Sequence, residues 1–269
     1  MIGVTLTGCS RTQIAYHFSD WFLLKKVDDY FQIKNSQERF LKKKLEHLMA
    51  WHRSHELPAI ILTLSEFQTR YRDGLDPEDL AWLQEDERRY IKRFLIQAAP
   101  DFSRFLSTLD ERQIRHFKGQ SPKLNDFLIK QIEMTDEELV EDTQRWFLEL
   151  LEDWFGPLDS GQEATLRIWV TVERGWIISK LKNRRNFQTA FADLLKAQKS
   201  EREIEAQLVR WIKQPETLWA PKFQIQWEEK KSQWMNILFK IDSMITPAQR
   251  TRALEKVQGY IDDFKSLVI

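Results

Sequence analysis

The sequence predicts an all-α fold, an elongated multi-helix bundle or irregular helical array of about eight to ten helices, on three observations. Apolar residues recur at three- and four-residue intervals nearly everywhere, and the alternation of a half-buried strand is missing. A short helix-start pattern returns along the chain. Only eight glycines and eight prolines interrupt 269 residues that are 42% hydrophobic and 30% charged, a balance suited to a packed core.

Taken in order, Ile14, Phe18, Trp21 and Phe22 share one face of a first helix, and Phe40, Leu41, Leu45, Leu48 and His52 share one face of a second. The start pattern is an apolar residue, a Thr or Asp, two residues, then Gln, Glu or Asp. It occurs at Leu75–Asp79, Leu109–Gln113, Met134–Glu138, Leu158–Gln162 and Ile245–Gln249, with a degraded copy at Ile33–Gln37. Each reads as a capping box. The Thr or Asp accepts from an orphan amide, the residue three later reaches back, and the apolar residue staples onto the next turn. Pro77 and Pro247 occupy the first helical position, where a missing N–H costs nothing. Breaks are expected near Gly74, Pro100, Gly156-Pro157 and Pro215, and Pro122 ends or kinks a helix. Unequal spacing of the starts argues against a regular solenoid.

Composition excludes several classes. The 41 basic and 41 acidic side chains cancel, leaving no field to gather nucleic acid. One cysteine makes neither an internal disulfide nor a thiolate metal cluster. No apolar run is long enough to span a bilayer as a helix.

That cysteine, in Leu6-Thr7-Gly8-Cys9, has the form of a bacterial lipobox, in which small residues fit the signal peptidase and the thiol takes the lipid. Eight residues precede it, none of them Lys or Arg, so the leader is expected to extend upstream of Met1. Residues 1–9 are read as the remnant of a lipoprotein signal peptide and 10–269 as a single all-helical domain. Residues 16–37, 48–60 and 152–162 resemble an uncharacterised family of Gram-negative lipoproteins, through Tyr16, Asp20, Trp21, Asp28, Asp29, Tyr30, Trp51, His52, Arg53, Leu57 and Pro58. Lys25-Lys26 departs from it, standing where the family has apolar or aromatic residues. The resemblance implies lipidation at Cys9, an all-helical fold and a periplasm-facing address. Ser10, in place of the aspartate of retained lipoproteins, implies the outer membrane. It implies no reaction.

Candidate chemistry is sparse. His52 and His55 share a helical face and are the weak metal candidates, but "HRSHE" lacks the order and spacing of a zinc protease. His52 and Trp51 are expected to pack where Pro58 starts a helix, Arg53 to pair with a carboxylate, and Asp20 to turn inward onto an Arg or His. Adjacent Asp28 and Asp29 splay apart on a helix and make no acid–base pair. No phosphate loop or nucleophile elbow is present, so no enzyme and no cofactor are expected.

Acidic residues crowd 133–153, and Lys180, Lys182, Arg184 and Arg185 form a basic stripe. Ion pairs between neighbouring antiparallel helices are the expected meaning, with contact to anionic head groups as the functional one. Trp211, Trp219, Trp227 and Trp234 recur every seven or eight residues, as core or as a groove for an apolar peptide or acyl chain. Ile245–Gln249, "ITPAQ", also resembles the Leu-Thr-x-x-Gln motif of the Spy and CpxP periplasmic chaperones. The expected function is therefore a lipid-anchored envelope protein that binds or scaffolds a partner, the alternative being a holder of unfolded or lipidic clients.

Overall fold

The computed structural model describes residues 11–268, so Cys9 and the segment read as signal peptide lie outside the described residues. Within them the chain is helical with no strand. Near the N-terminus come α1 (Arg11–His17), α2 (Ser19–Phe31) and α3 (Asn35–Trp51), then α4 (Leu57–Tyr71), the long α5 (Pro77–Ser107), α6 (Glu111–Gln120) and α7 (Asp126–Glu133). The second half holds α8 (Asp136–Phe155), α9 (Ser160–Trp169), α10 (Arg174–Lys196), α11 (Glu201–Lys213), α12 (Pro221–Met244) and α13 (Pro247–Leu267). These thirteen segments make eleven rods, because α3 continues through a π-helical turn, His52–Glu56, into α4, and α6 through a tight turn, Ser121–Asn125, into α7. That is more than the eight to ten expected, since several joins carry neither glycine nor proline.

Every capping box forms. Asp76, Asp110, Thr135, Asp159 and Thr246 each accept from the amide three residues on, at 2.8–3.2 Å. A further box, Ser200 with Glu203, starts α11. Four boxes end in glutamine and do more. Gln37 and Gln113 are buried against each other: Gln113 Nε2 donates to Gln37 Oε1 at 2.8 Å, and Gln37 Nε2 donates back at 3.3 Å. Each amide also donates to the carbonyl just before its partner's helix, Gln113 to Phe31 O and Gln37 to Thr108 O. Gln162 and Gln249 repeat the arrangement at 2.8 and 3.0 Å, reaching Met244 O and Pro157 O. A glutamine carries both a donor and an acceptor, so two of them satisfy one another where two carboxylates would repel. The glutamine boxes thus fasten helical corners in pairs, α2–α3 to α5–α6 and α8–α9 to α12–α13. The "ITPAQ" stretch is one of these corners, with Gln249 buried in the lock.

Apolar burial is divided among three clusters. The first joins α2, α3, α5, α6, α10 and α11 around Phe31, Phe105, Phe117 and Phe191; the second joins α4, α8, α9, α12 and α13; the third joins α7, α8 and α10.

Three expectations are corrected. Pro100 does not break α5: it faces solvent while its neighbours Ala99, Ser103 and Phe105 are buried, so packing holds the helix through a lost hydrogen bond. Pro58 starts no separate helix. The π turn, in which Leu57 N donates to His52 O five residues back, opens the ladder enough to pass the pyrrolidine ring. The acidic α8 and the basic α10 are not zipped by a row of ion pairs. Arg174 meets Asp136 at 2.7 Å, whereas Asp153 pairs with Lys256 on α13 and Asp142 with Arg145 on its own helix.

Candidate functional site

The residues singled out by resemblance do not converge on one site. At α1, the Tyr16 hydroxyl lies 2.7 Å from His52 Nδ1, and the His52 ring stands edge-on to Phe94. His55 points elsewhere, its Nδ1 engaged with Ser54 and the Trp51 carbonyl, and Trp51 stacks on the His55 ring, so the two histidines share no metal position. Arg53 forms no ion pair among the described residues, contrary to expectation. Asp20 is likewise unpaired with an Arg or His and accepts from Trp21 N, because it sits in the first turn of α2, where an amide is free. Asp28 accepts from Ile33 N where α2 ends, and Lys25 holds the Asp29 carboxyl below the usual carboxylate range. Tyr30 lies half-buried beside the first core cluster.

His52 and the residues that follow it fasten α5. Behind His52, the buried Glu56 carboxylate lies 2.9 Å from Arg93 Nη2, and Thr63 joins Asp86 and Tyr90, each at 2.7 Å. Asp86, Tyr90 and Arg93 share one face of α5. At about 100° per residue, Arg88, Ile91, Lys92 and Leu95 fall on the opposite face.

That opposite face is the floor of a long recess, a groove of about 1300 Å³. Its walls are Leu23, Val27 and Tyr30 of α2, Phe187 and Phe191 of α10, Leu208 and Trp211 of α11, with Trp219 and Trp227 beyond. The volume exceeds the roughly 300–1,000 Å³ of an ordinary small-molecule site. Ile91, Leu95 and Phe187 remain 52%, 42% and 45% exposed there, an unusual cost for a helix face with nothing upon it. An adjoining hollow of about 510 Å³ shares Arg184, Phe187, Trp211, Pro215 and Trp219 and adds Lys180 and Phe127. Burial, and then the Arg184 guanidinium, push Lys180 below the usual lysine value.

Two separate readings of the sequence therefore meet in one place. Three of the four tryptophans line the groove, half-buried, while Trp234 packs on Phe147 instead. Arg184 of the basic stripe edges the same recess and Lys180 the adjoining hollow, and Lys26, half of the departure from the resembled pattern, stands on the α2 side of the groove. Sequence reasoning missed the α5 stripe. Its signal was legible as Arg88, Ile91, Lys92, Leu95, Ala98, Ala99 and Phe102 at helical spacing, but a core face has the same spacing.

The Tyr16–His52 pair carries a pH prediction. Burial, then the Arg53 charge, lower the His52 pKa below its ordinary 6.5, and burial pushes Tyr16 up to about 12. As pH falls through 6.5 the unfolded chain takes a proton before the folded one does. The stability His52 contributes above that pH is therefore lost as pH drops through its folded value. Urea midpoints taken at about pH 7.5 and 5 are expected to fall further for wild type than for His52→Gln; equal falls would refute the assignment.

A family of unknown function, DUF6279, matches residues 29–224. The match takes in Tyr30, Trp51, His52, Arg53 and the α5 floor of the groove, and leaves out Cys9, Tyr16, Asp20, Trp21 and Trp227. No curated protein and no solved structure matches the chain.

Proposed function

The chain belongs to the DUF6279 family of unknown function, and from that premise we propose that it is a lipid-anchored, periplasm-facing lipoprotein of the outer membrane that works by binding, without catalysis, through the α5 groove. The groove carries the binding reading: an apolar recess of about 1300 Å³, walled by aromatic residues, left open in the monomer. The lipobox at Cys9 carries the address. Support comes from the helices that follow it, where Ile14, Phe18, Trp21 and Phe22, expected on one helix, fall instead on α1, the break at Phe18 and α2, and lie 48–63% exposed. Exposed apolar and aromatic residues suit the interface of a bilayer, and a second membrane contact adds to a lipid anchor.

Metabolic labelling with a fatty acid and membrane fractionation, comparing wild type with Cys9→Ala, tests the address; label and outer-membrane position are expected to vanish together in the variant. An unlabelled wild-type protein in the cytosol would overturn it. For the groove, Leu95→Trp places an indole across the floor. It is expected to reduce uptake of an environment-sensitive apolar dye at least tenfold, with stability changed by no more than about 0.5 kcal/mol. Unchanged dye uptake would sink the groove.

Holding of unfolded clients is the second reading, favoured by the openness and length of the recess. Suppression of aggregation of a denatured model protein, lost in Leu95→Trp, is its test.

A further inference from the structure

We propose that the groove takes a monomeric anionic glycerophospholipid, acyl chains along the α5 floor and phosphate at the cationic rim, an inference that rests on the groove being the binding site proposed above. Polarity along α5 sets the direction. Arg88 and Lys92 stand at one end of the stripe and Leu95, Ala98, Ala99 and Phe102 follow, so a charged head and an apolar tail meet matching surface in that order. From residue 88 to 102 the floor runs about 21 Å, against ~15 Å for the hydrocarbon of one bilayer leaflet, enough for an acyl chain laid lengthwise.

Charge complementarity selects an anion. Lys26, Arg88, Lys92, Arg184 and Lys213 edge the groove against two carboxylates, Glu216 and Glu228. None of the five is in an ion pair among the described residues, in a chain whose charges otherwise cancel. Uncompensated cations around an apolar recess are what an amphiphile with a negative head requires.

An acyl chain also suits the floor better than a polypeptide. A bound peptide brings an N–H and a C=O per residue, each needing a partner once out of water. The groove has two uncharged amide side chains, Gln188 and Gln224, and Gln188 is already committed, donating to Ser121 O and accepting from Asn125. A hydrocarbon makes no such demand.

The test is equilibrium dialysis of the full chain carrying Cys9→Ala against a labelled short-chain phosphatidylglycerol kept below its micelle concentration. Phosphatidylcholine of the same chains is the neutral comparison. At least tenfold tighter binding of phosphatidylglycerol is expected, weakening with salt. Combined Arg88→Gln, Lys92→Gln and Lys213→Gln, at rim side chains outside any ion pair and checked for helicity, are expected to abolish that preference and leave phosphatidylcholine unchanged. Leu95→Trp is expected to abolish binding of both. Equal affinities, or a rim variant that keeps the preference, would overturn the anionic assignment while the groove reading stands. Binding of an unfolded polypeptide but of neither lipid, sensitive to Leu95→Trp, would overturn the lipid and keep the groove. If Leu95→Trp alters no probe, the groove reading itself fails.

Discussion

Gln113→Glu is expected to destabilise the protein by about 3–5 kcal/mol, although glutamate is the residue that other capping boxes of this chain carry at the same position. As a cap, the substitution is nearly neutral: the introduced carboxyl still accepts from Asp110 N, as Gln113 Oε1 does at 3.2 Å. The cost arises in the lock. Gln113 is fully buried, and its amide donates to Gln37 Oε1, Phe31 O and Gln32 O. A carboxylate there faces those acceptors with no proton and no water. Lowering the pH protonates the introduced carboxyl, restores one donor and should recover part of the loss, the sign expected for an acid that burial holds neutral. Glu203→Gln, in an exposed box, serves as the control and should move the urea midpoint very little. A cost for Gln113→Glu as small as the control's would show that the glutamine pair is only a pair of caps. The outcome bears on binding too, because this lock sets α2 and its Tyr30 and Phe31 against α5 across the groove.

Arg250→Ala is expected to cost a similar 3–5 kcal/mol, for a different reason. Asp242 is buried where α12 meets the turn after α4, its Oδ2 accepting from Leu75 N at 2.9 Å and its Oδ1 from Arg250 Nη1 at 2.6 Å. Arg250 also donates to Asp242 O and lies over the Tyr71 ring, 4.9 Å from its centre. Removing the guanidinium strands a carboxylate in the second core cluster and takes away its apolar cover. Asp242→Ala alone should cost about as much, and the double variant far less than the sum, because the second removal relieves the charge the first stranded. Additive losses in this cycle would contradict the pair. A cost under about 1 kcal/mol for Arg250→Ala would place it among ordinary surface ion pairs.

Both locks, like the groove, show where local information ends. Helical character and the caps were decided by the sequence, because a capping box or a 3.6-residue period is complete within four to eight neighbours and needs nothing from the rest of the chain. Even the glutamines were visible as N3 residues. That Gln37 meets Gln113 and Gln162 meets Gln249 was not, since the partners lie 76 and 87 residues apart and any two such corners have the same chemistry. Pro100 read locally as a break, and only the burial of Ala99, Ser103 and Phe105 carries the helix through it. The apolar faces at Ile14–Phe22 and Arg88–Phe102 have the periodicity of core faces. Which residues are covered depends on where another helix arrives, a long-range outcome of packing: α11 packs along α5 and buries Ala99, whereas Ile91 and Leu95, like Ile14 and Phe18, stay exposed.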